Sequence, residues 1–100
     1  MILLKENILH FLRVNKPSFQ RDFGVVQLGL LGSYARDQQA EDSDIDLLIE
    51  FAPNTDALFD KKEKIKQIVQ SQFCKEVDIC REKYIKPYFR KQILNSVIYV

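Results

Sequence analysis

The run Val25 to Leu31, VVQLGLL, constrains this chain more than any other stretch. It is almost wholly apolar, seven residues long, and bounded by Gly24 and Gly32. A segment that short, closed by glycine at both ends, reads as a strand buried on both faces. Such a strand needs neighbours to complete its hydrogen bonds and further layers to cover it. The chain is therefore expected to build a layered, sheet-centred domain.

The flanking periodicities supply those layers. Leu4, Ile8, Phe11 and Leu12 recur at helical spacing, so the N-terminus reads as an amphipathic helix. Pro17 and Ser18 are expected to open a second short helix, with Gly24 ending it. Gly32 and Ser33 turn into a short helix around Tyr34 to Gln38. Ile45, Leu47 and Ile49 alternate with Asp44, Asp46, Leu48 and Glu50, which predicts a strand that Pro53 and Asn54 break. Leu58, Ile65, Ile68 and Val69 mark a helix. Val77 and Ile79 alternate with Glu76, Asp78 and Cys80 as a third strand. Pro87 opens a last helix to about Leu94, and Val97 to Val100 can add a short terminal strand. The sum is an α/β or α+β fold, three or four strands with helices packed on them.

Two features in Gly32 to Asp46, GSYARDQQAEDSDID, carry chemistry. The first is a strand followed by Gly-Ser and a helix start. Glycine lets the backbone approach a ligand closely, and free N–H groups at a helix N-terminus attract phosphate. Ser33 adds a hydroxyl and Arg36 a guanidinium. Taken alone, most Gly-Ser turns are only turns. The second feature is Asp44 and Asp46, two apart on a strand and so on one face, about 6–7 Å from each other. At an effective dielectric near 20 they repel by roughly 2–3 kcal/mol. Aspartate is already disfavoured in strands, and a hard divalent cation would remove the repulsion. A solvent-facing strand start or an Asx-turn at Ser43–Asp44 gives the same spacing. Asp78 repeats the oddity between Val77 and Ile79, where an edge or strand-end position is the alternative. Together the three aspartates and the turn form the set that phosphoryl-type transfer needs.

Composition narrows the class. Of 100 residues, 46% are hydrophobic and 29% charged, as in a globular chain, and the length fits a single domain over residues 1–100. A domain so small often borrows part of its site from a partner or a second copy. Net charge is +1, but residues 1–60 hold five Lys/Arg and ten Asp/Glu, and residues 61–100 hold ten and four. An acidic front half argues against direct nucleic-acid coating and suits a site that concentrates divalent cations. The basic half is either a solvated face or a surface for an acidic partner or a triphosphate. Cys74 and Cys80 form no disulfide framework or zinc pattern and are expected to be reduced, core or near-core thiols. Lys5 and Glu6 interrupt the early apolar run, and no stretch nears the ~20 apolar residues that cross a membrane. A cytoplasmic protein without a membrane partner is the expectation. His10 reads as an ordinary helix residue. Tyr34 could stack on a base or pack in the core. Lys83 and Lys86 could reach phosphates or face solvent.

The stretch resembles the nucleotidyltransferase superfamily that includes DNA polymerase beta and kanamycin nucleotidyltransferase. The shared pattern is Gly-Ser, ten residues, then Asp-x-Asp, here Gly32-Ser33 and Asp44-Ile45-Asp46. Ser33-Tyr34-Ala35-Arg36, Ser43 to Leu47, and Lys86-Pro87-Tyr88-Phe89-Arg90 through Ile98-Tyr99 are similar to the minimal nucleotidyltransferase group in particular. The resemblance implies a sheet with helices on one side. It also implies that Gly32, Ser33 and Arg36 bind the nucleotide, and that Asp44, Asp46 and Asp78 are the catalytic, metal-binding carboxylates. Two magnesium ions with ATP as donor are implied, with Asp78 as general base. Stand-alone chains of this kind resemble the antitoxins of HEPN ribonuclease toxins, which implies AMP transfer to a tyrosine of a cognate toxin. The alternatives are a small-molecule, aminoglycoside-type nucleotidyltransferase and an antitoxin that acts by contact alone. One departure is Asp37, where family members commonly carry glycine.

Overall fold

A computed structural model describes residues 3–100. Helix α1 runs from Lys5 to Phe23 and buries Ile8, Leu9, Leu12 and Phe19. The two helices expected either side of Pro17 are one. Pro17 removes one backbone bond and costs a helix interior about 3 kcal/mol. Burial of Phe19 beyond it returns roughly 1.5–3 kcal/mol and holds the last turns in line. Gly24 then ends the helix in the left-handed region at φ 73°, its N–H donating to Gln20 O at 3.1 Å.

Strand β1 (Val25–Leu31) leads through the single-turn helix α2 (Gly32–Ala35) and a loop to β2 (Ile45–Phe51). Helix α3 (Leu58–Phe73) crosses to β3 (Val77–Cys80), a 3-10 turn follows at Glu82–Tyr84, and α4 (Pro87–Ser96) and β4 (Ile98–Tyr99) close the chain. The short helix expected at Tyr34 to Gln38 lies slightly earlier. The sheet has four strands in the order β3-β2-β1-β4. β1 is antiparallel to β2 and β4, and β2 is parallel to β3.

Strand alternation gives the sheet two different faces. Leu28, Leu30, Ile45, Leu47, Ile49 and Val77 point to one side, where they form a core with Ile8, Leu12, Phe19, Ile65 and Val69 of α1 and α3. Phe11 meets Phe73 edge to face at 5.3 Å and ties these two helices together. Leu31 and Leu48 point the other way, into a smaller cluster with Ile85, against which Cys80, Ile93, Leu94 and Val97 pack. The helices are thus not all on one side. α1 and α3 share a face, and α4 lies on the other because Ile93, Leu94 and Val97 need the apolar floor of Leu31 and Leu48. Gly29 lets this happen, since a Cβ there would stand 2.8 Å from Val97 Cγ2.

Candidate active site

The register of the sheet gathers the predicted residues. Leu31, the last residue of β1, is opposite Asp46, and Asp46 is opposite Asp78 on β3. Neighbouring strands lie about 4.8 Å apart, so Asp46 and Asp78 stand side by side on one face. Asp44 falls just outside β2 instead of on it, exposed at the mouth of the strand. Its position is set by its neighbours. Ser43 Oγ accepts from Ala40 N at 2.8 Å, and Ile45 N donates to Glu76 O at 2.9 Å, which clamps the entry of β2 to β3.

Gly32 passes directly over Asp46. Its φ is 73°, and a Cβ would overlap Asp46 Oδ2 and lie 3.2 Å from Asp46 Cγ. Only glycine brings the backbone this close to the carboxylate. Ser33 follows, half-buried, and its carbonyl accepts from Gln38 N at 2.8 Å, which keeps the turn tight. Arg36 is exposed at the end of α2 and close enough to bias Asp46 electrostatically.

Burial pushes the Asp46 carboxyl above the usual carboxylate range, with the charges of Asp78 and Asp44 adding to the rise and Arg36 opposing it. Asp46 therefore senses both of the other aspartates. Among the described residues no three His, Cys, Asp or Glu side chains converge into a ready-made metal cluster. The arrangement is an open pair of neighbouring carboxylates with a third at the rim.

A cleft of about 230 Å³ opens here, lined by Leu31, Gly32, Arg36, Asp46, Cys80, Ile93 and Ser96. It is smaller than the ~300–1,000 Å³ of sites that enclose a small molecule. A larger hollow, about 570 Å³, lies between α1 and the end of α3 around His10, Phe11, Val14 and Phe73. It holds no carboxylate pair and no phosphate-type turn, so its size does not make it the reacting site.

Other expectations resolve as follows. Tyr34 is fully buried, so it packs in the core and cannot stack on a base. His10 is exposed on α1. Lys83 and Lys86 are exposed and do not line the cleft that holds Asp46. Cys80 is half-buried on β3, but Cys74 is exposed, because it caps α3 at φ 54° and turns away from the core. Asp37 pairs with Lys5 at 2.8 Å and has φ 55°. The backbone there explains why glycine suits the position, and the carboxylate is engaged by a lysine of α1. Sequence reading missed Cys80, Ile93 and Ser96 as cleft residues. Cys80 was reachable, two residues past Asp78 on the same face. Ile93 and Ser96 were not, since nothing local places α4 on this side.

Comparison with known proteins identifies the family. Residues 12–100 match the family model described as a nucleotidyltransferase domain. A Thermococcus cleftensis protein, protein adenylyltransferase MntA, is 30% identical over 99% of this chain and 98% of its own length. A Methanocaldococcus jannaschii chain provisionally named a protein adenylyltransferase is 34% identical over 93% of this chain and 94% of its own. A solved structure provisionally named a minimal nucleotidyltransferase superposes with a TM-score of 0.78 at 27% identity, covering 96% of this chain and 95% of that one. A toxin–antitoxin crystal structure with AMP-PNP has a TM-score of 0.63 at 23% identity, covering 97% and 72%, a likeness of fold. The chain belongs to the nucleotidyltransferase domain family and is a nucleotidyltransferase. Within that family its fold is that of the minimal nucleotidyltransferases.

Proposed function

We propose that this protein is an antitoxin that transfers AMP from ATP to a tyrosine of a partner HEPN ribonuclease and so inactivates it. The observation that carries the reading is the meeting of Gly32, Asp46 and Asp78 at one point of the sheet, beside an open cleft. Relatives of matching length named as protein adenylyltransferases support a protein acceptor. A cleft too small to enclose a small acceptor together with a nucleotide supports it as well.

The donor set suits magnesium. Asp44, Asp46 and Asp78 offer only hard carboxylate oxygens, and the Asp46 carboxyl, raised first by burial and then by the Asp78 and Asp44 charges, is one that a neighbouring cation would relieve. These three residues would hold magnesium, which on binding would neutralise the triphosphate and polarise its phosphoryl oxygens. An open pair fits an ion that keeps waters and completes its shell with substrate phosphates.

The chain's own residues do the rest. The backbone and hydroxyl of Gly32 and Ser33 hold the terminal phosphates, and Arg36 balances their charge. Asp78, exposed on β3 beside Asp46, accepts the proton of the acceptor hydroxyl. The oxygen then bonds to the α-phosphorus, the bond from that phosphorus to the bridging oxygen breaks, and pyrophosphate leaves with the electron pair.

The test mixes the protein with a HEPN ribonuclease, magnesium and ATP, and reads the ribonuclease's intact mass and RNA cleavage. The reading expects one or more AMP additions on tyrosine and loss of cleavage, both abolished by Asp78→Asn. Silencing without any mass change, by the parent or the variant, would mean inhibition by contact alone.

A further inference from the structure

On the carboxylate side of the sheet lies a surface that takes no part in lining the cleft. It is formed by the Glu82–Tyr84 turn and the outer side of α4. An amphipathic helix ordinarily turns its large apolar side chains inward. Here no residue of α4 is fully buried, and Tyr88 is 73% and Phe89 47% exposed, with Tyr84 of the turn 70% exposed. The rings of Tyr88 and Phe89 pack against each other at 4.5 Å. Lys83 Nζ stands 5.1 Å from the centre of the Tyr84 ring.

The charge on this surface is one-sided. Between Arg81 and Lys91 five basic residues stand against one acidic residue, Glu82. Arg81 is held by Glu50 at 3.2 Å and Arg90 by Glu82 at 2.6 Å. These pairs fasten the turn and α4 to the sheet, and they leave the exposed Lys83, Lys86 and Lys91 as the outward charge. Exposed aromatics edged by lysines match the anchor-and-rim pattern of protein interfaces, with acidic groups expected opposite.

The direction of α4 links this surface to the chemistry. Its first turn sits by the aromatics, and Ile93 and Ser96 near its other end line the cleft with Asp46. Ten helical residues span about 15 Å. A segment lying along α4 therefore ends at the carboxylates.

We infer that the aromatic and lysine surface of Lys83, Tyr84, Lys86, Tyr88, Phe89 and Lys91 docks an acidic segment of the acceptor protein and delivers its hydroxyl to the cleft. This rests on the reading that the acceptor is a protein. A polynucleotide fits less well, because Asp44, Asp46 and Asp78 repel a phosphate chain where the surface leads.

The test uses fluorescent peptides with one tyrosine flanked by glutamates or by lysines, and oligouridylate, titrated at low ionic strength. The glutamate peptide should bind at least about tenfold more tightly than the lysine peptide. Combined Lys83→Glu, Lys86→Glu and Lys91→Glu should cancel that preference, and Tyr84→Ala with Tyr88→Ala should weaken the glutamate peptide by a similar factor. Magnesium-dependent AMP-PNP affinity, measured beside it, should stay within about twofold in both variants, which also shows that they fold. Equal binding of both peptides, or a preference that survives charge reversal, overturns the inference. So does oligouridylate binding more tightly than the glutamate peptide and vanishing on the same reversal. Surface-dependent binding of the glutamate peptide without any AMP transfer to it supports the docking face and counts instead against the transferase reading.

Discussion

Asp46 joins the backbone geometry of the turn to the electrostatics of the sheet. Its raised carboxyl fixes a sign for stability. A folded-state value above the unfolded one means that the folded chain binds the proton more tightly. Between the ordinary aspartate range and the raised value, the Asp46 contribution to stability falls as pH rises. Asp46→Asn removes that cost. It should raise the melting temperature at neutral pH, flatten the pH dependence in that window, and lower AMP transfer by at least about 10²-fold. Melts from mildly acidic to neutral pH, set beside a transfer assay, check both halves. A neighbouring constraint gives a second prediction. Gly32→Ala meets a left-handed backbone that costs an ordinary residue about 1–2 kcal/mol, and its methyl displaces the Asp46 carboxylate. It should lower the melting temperature by roughly 4–16 °C and abolish nucleotide binding, as calorimetry with AMP-PNP would show. At this scale the sequence was informative, because a period of two puts Asp46 and Asp78 on predictable faces. The partner of Asp37 was not legible, since Lys5 reaches it from 32 positions away.

Among the elements, α1 shows best where local signals mislead. Pro17 and Ser18 look like a helix start, and propensity alone would break the chain there. Tertiary burial of Phe19 offsets most of that cost, and Ile8, Leu9 and Leu12 anchor the rest of the helix. Pro17→Ala should therefore stabilise the fold, by about 1–3 kcal/mol, since it restores a backbone bond in a helix that persists without it. Urea titration measures this, and an unchanged slope with a higher midpoint is the expected pattern. The strands were readable from alternation and their bounding glycines. The side chosen by α4 was not, because its amphipathicity says that it packs but not on which face. That choice depends on Gly29, Leu31 and Leu48 together, a three-dimensional fact with no local trace.

Across the whole molecule, the two faces of the sheet divide the labour. The face covered by α1 and α3 holds the main core, and the other holds the carboxylates under a lightly anchored α4. Ligands on the second face should add to stability by mass action. AMP-PNP at about 100 times its dissociation constant contributes about 2.7 kcal/mol, or a rise of roughly 10–20 °C for a domain of this size. With magnesium left out, the rise should largely disappear, because the phosphates would meet bare carboxylates. Differential scanning fluorimetry with and without chelator reads this directly. The division between faces was not visible in composition: the acidic first sixty residues include Asp44 and Asp46, but Asp78 comes from the basic part of the chain.

The strand order has a consequence for how this chain survives crowding. An open sheet presents two bare rims, and bare rims invite neighbouring chains to add strands and grow into fibrils. Here one rim is β3, four residues, and the other is β4, two residues. The long apolar strands β1 and β2, which would be the dangerous templates, lie in the middle, with β4 along Gly29–Leu30 and β3 along Ile45–Leu48. At its edge strands the sheet thus offers a neighbouring chain only short templates.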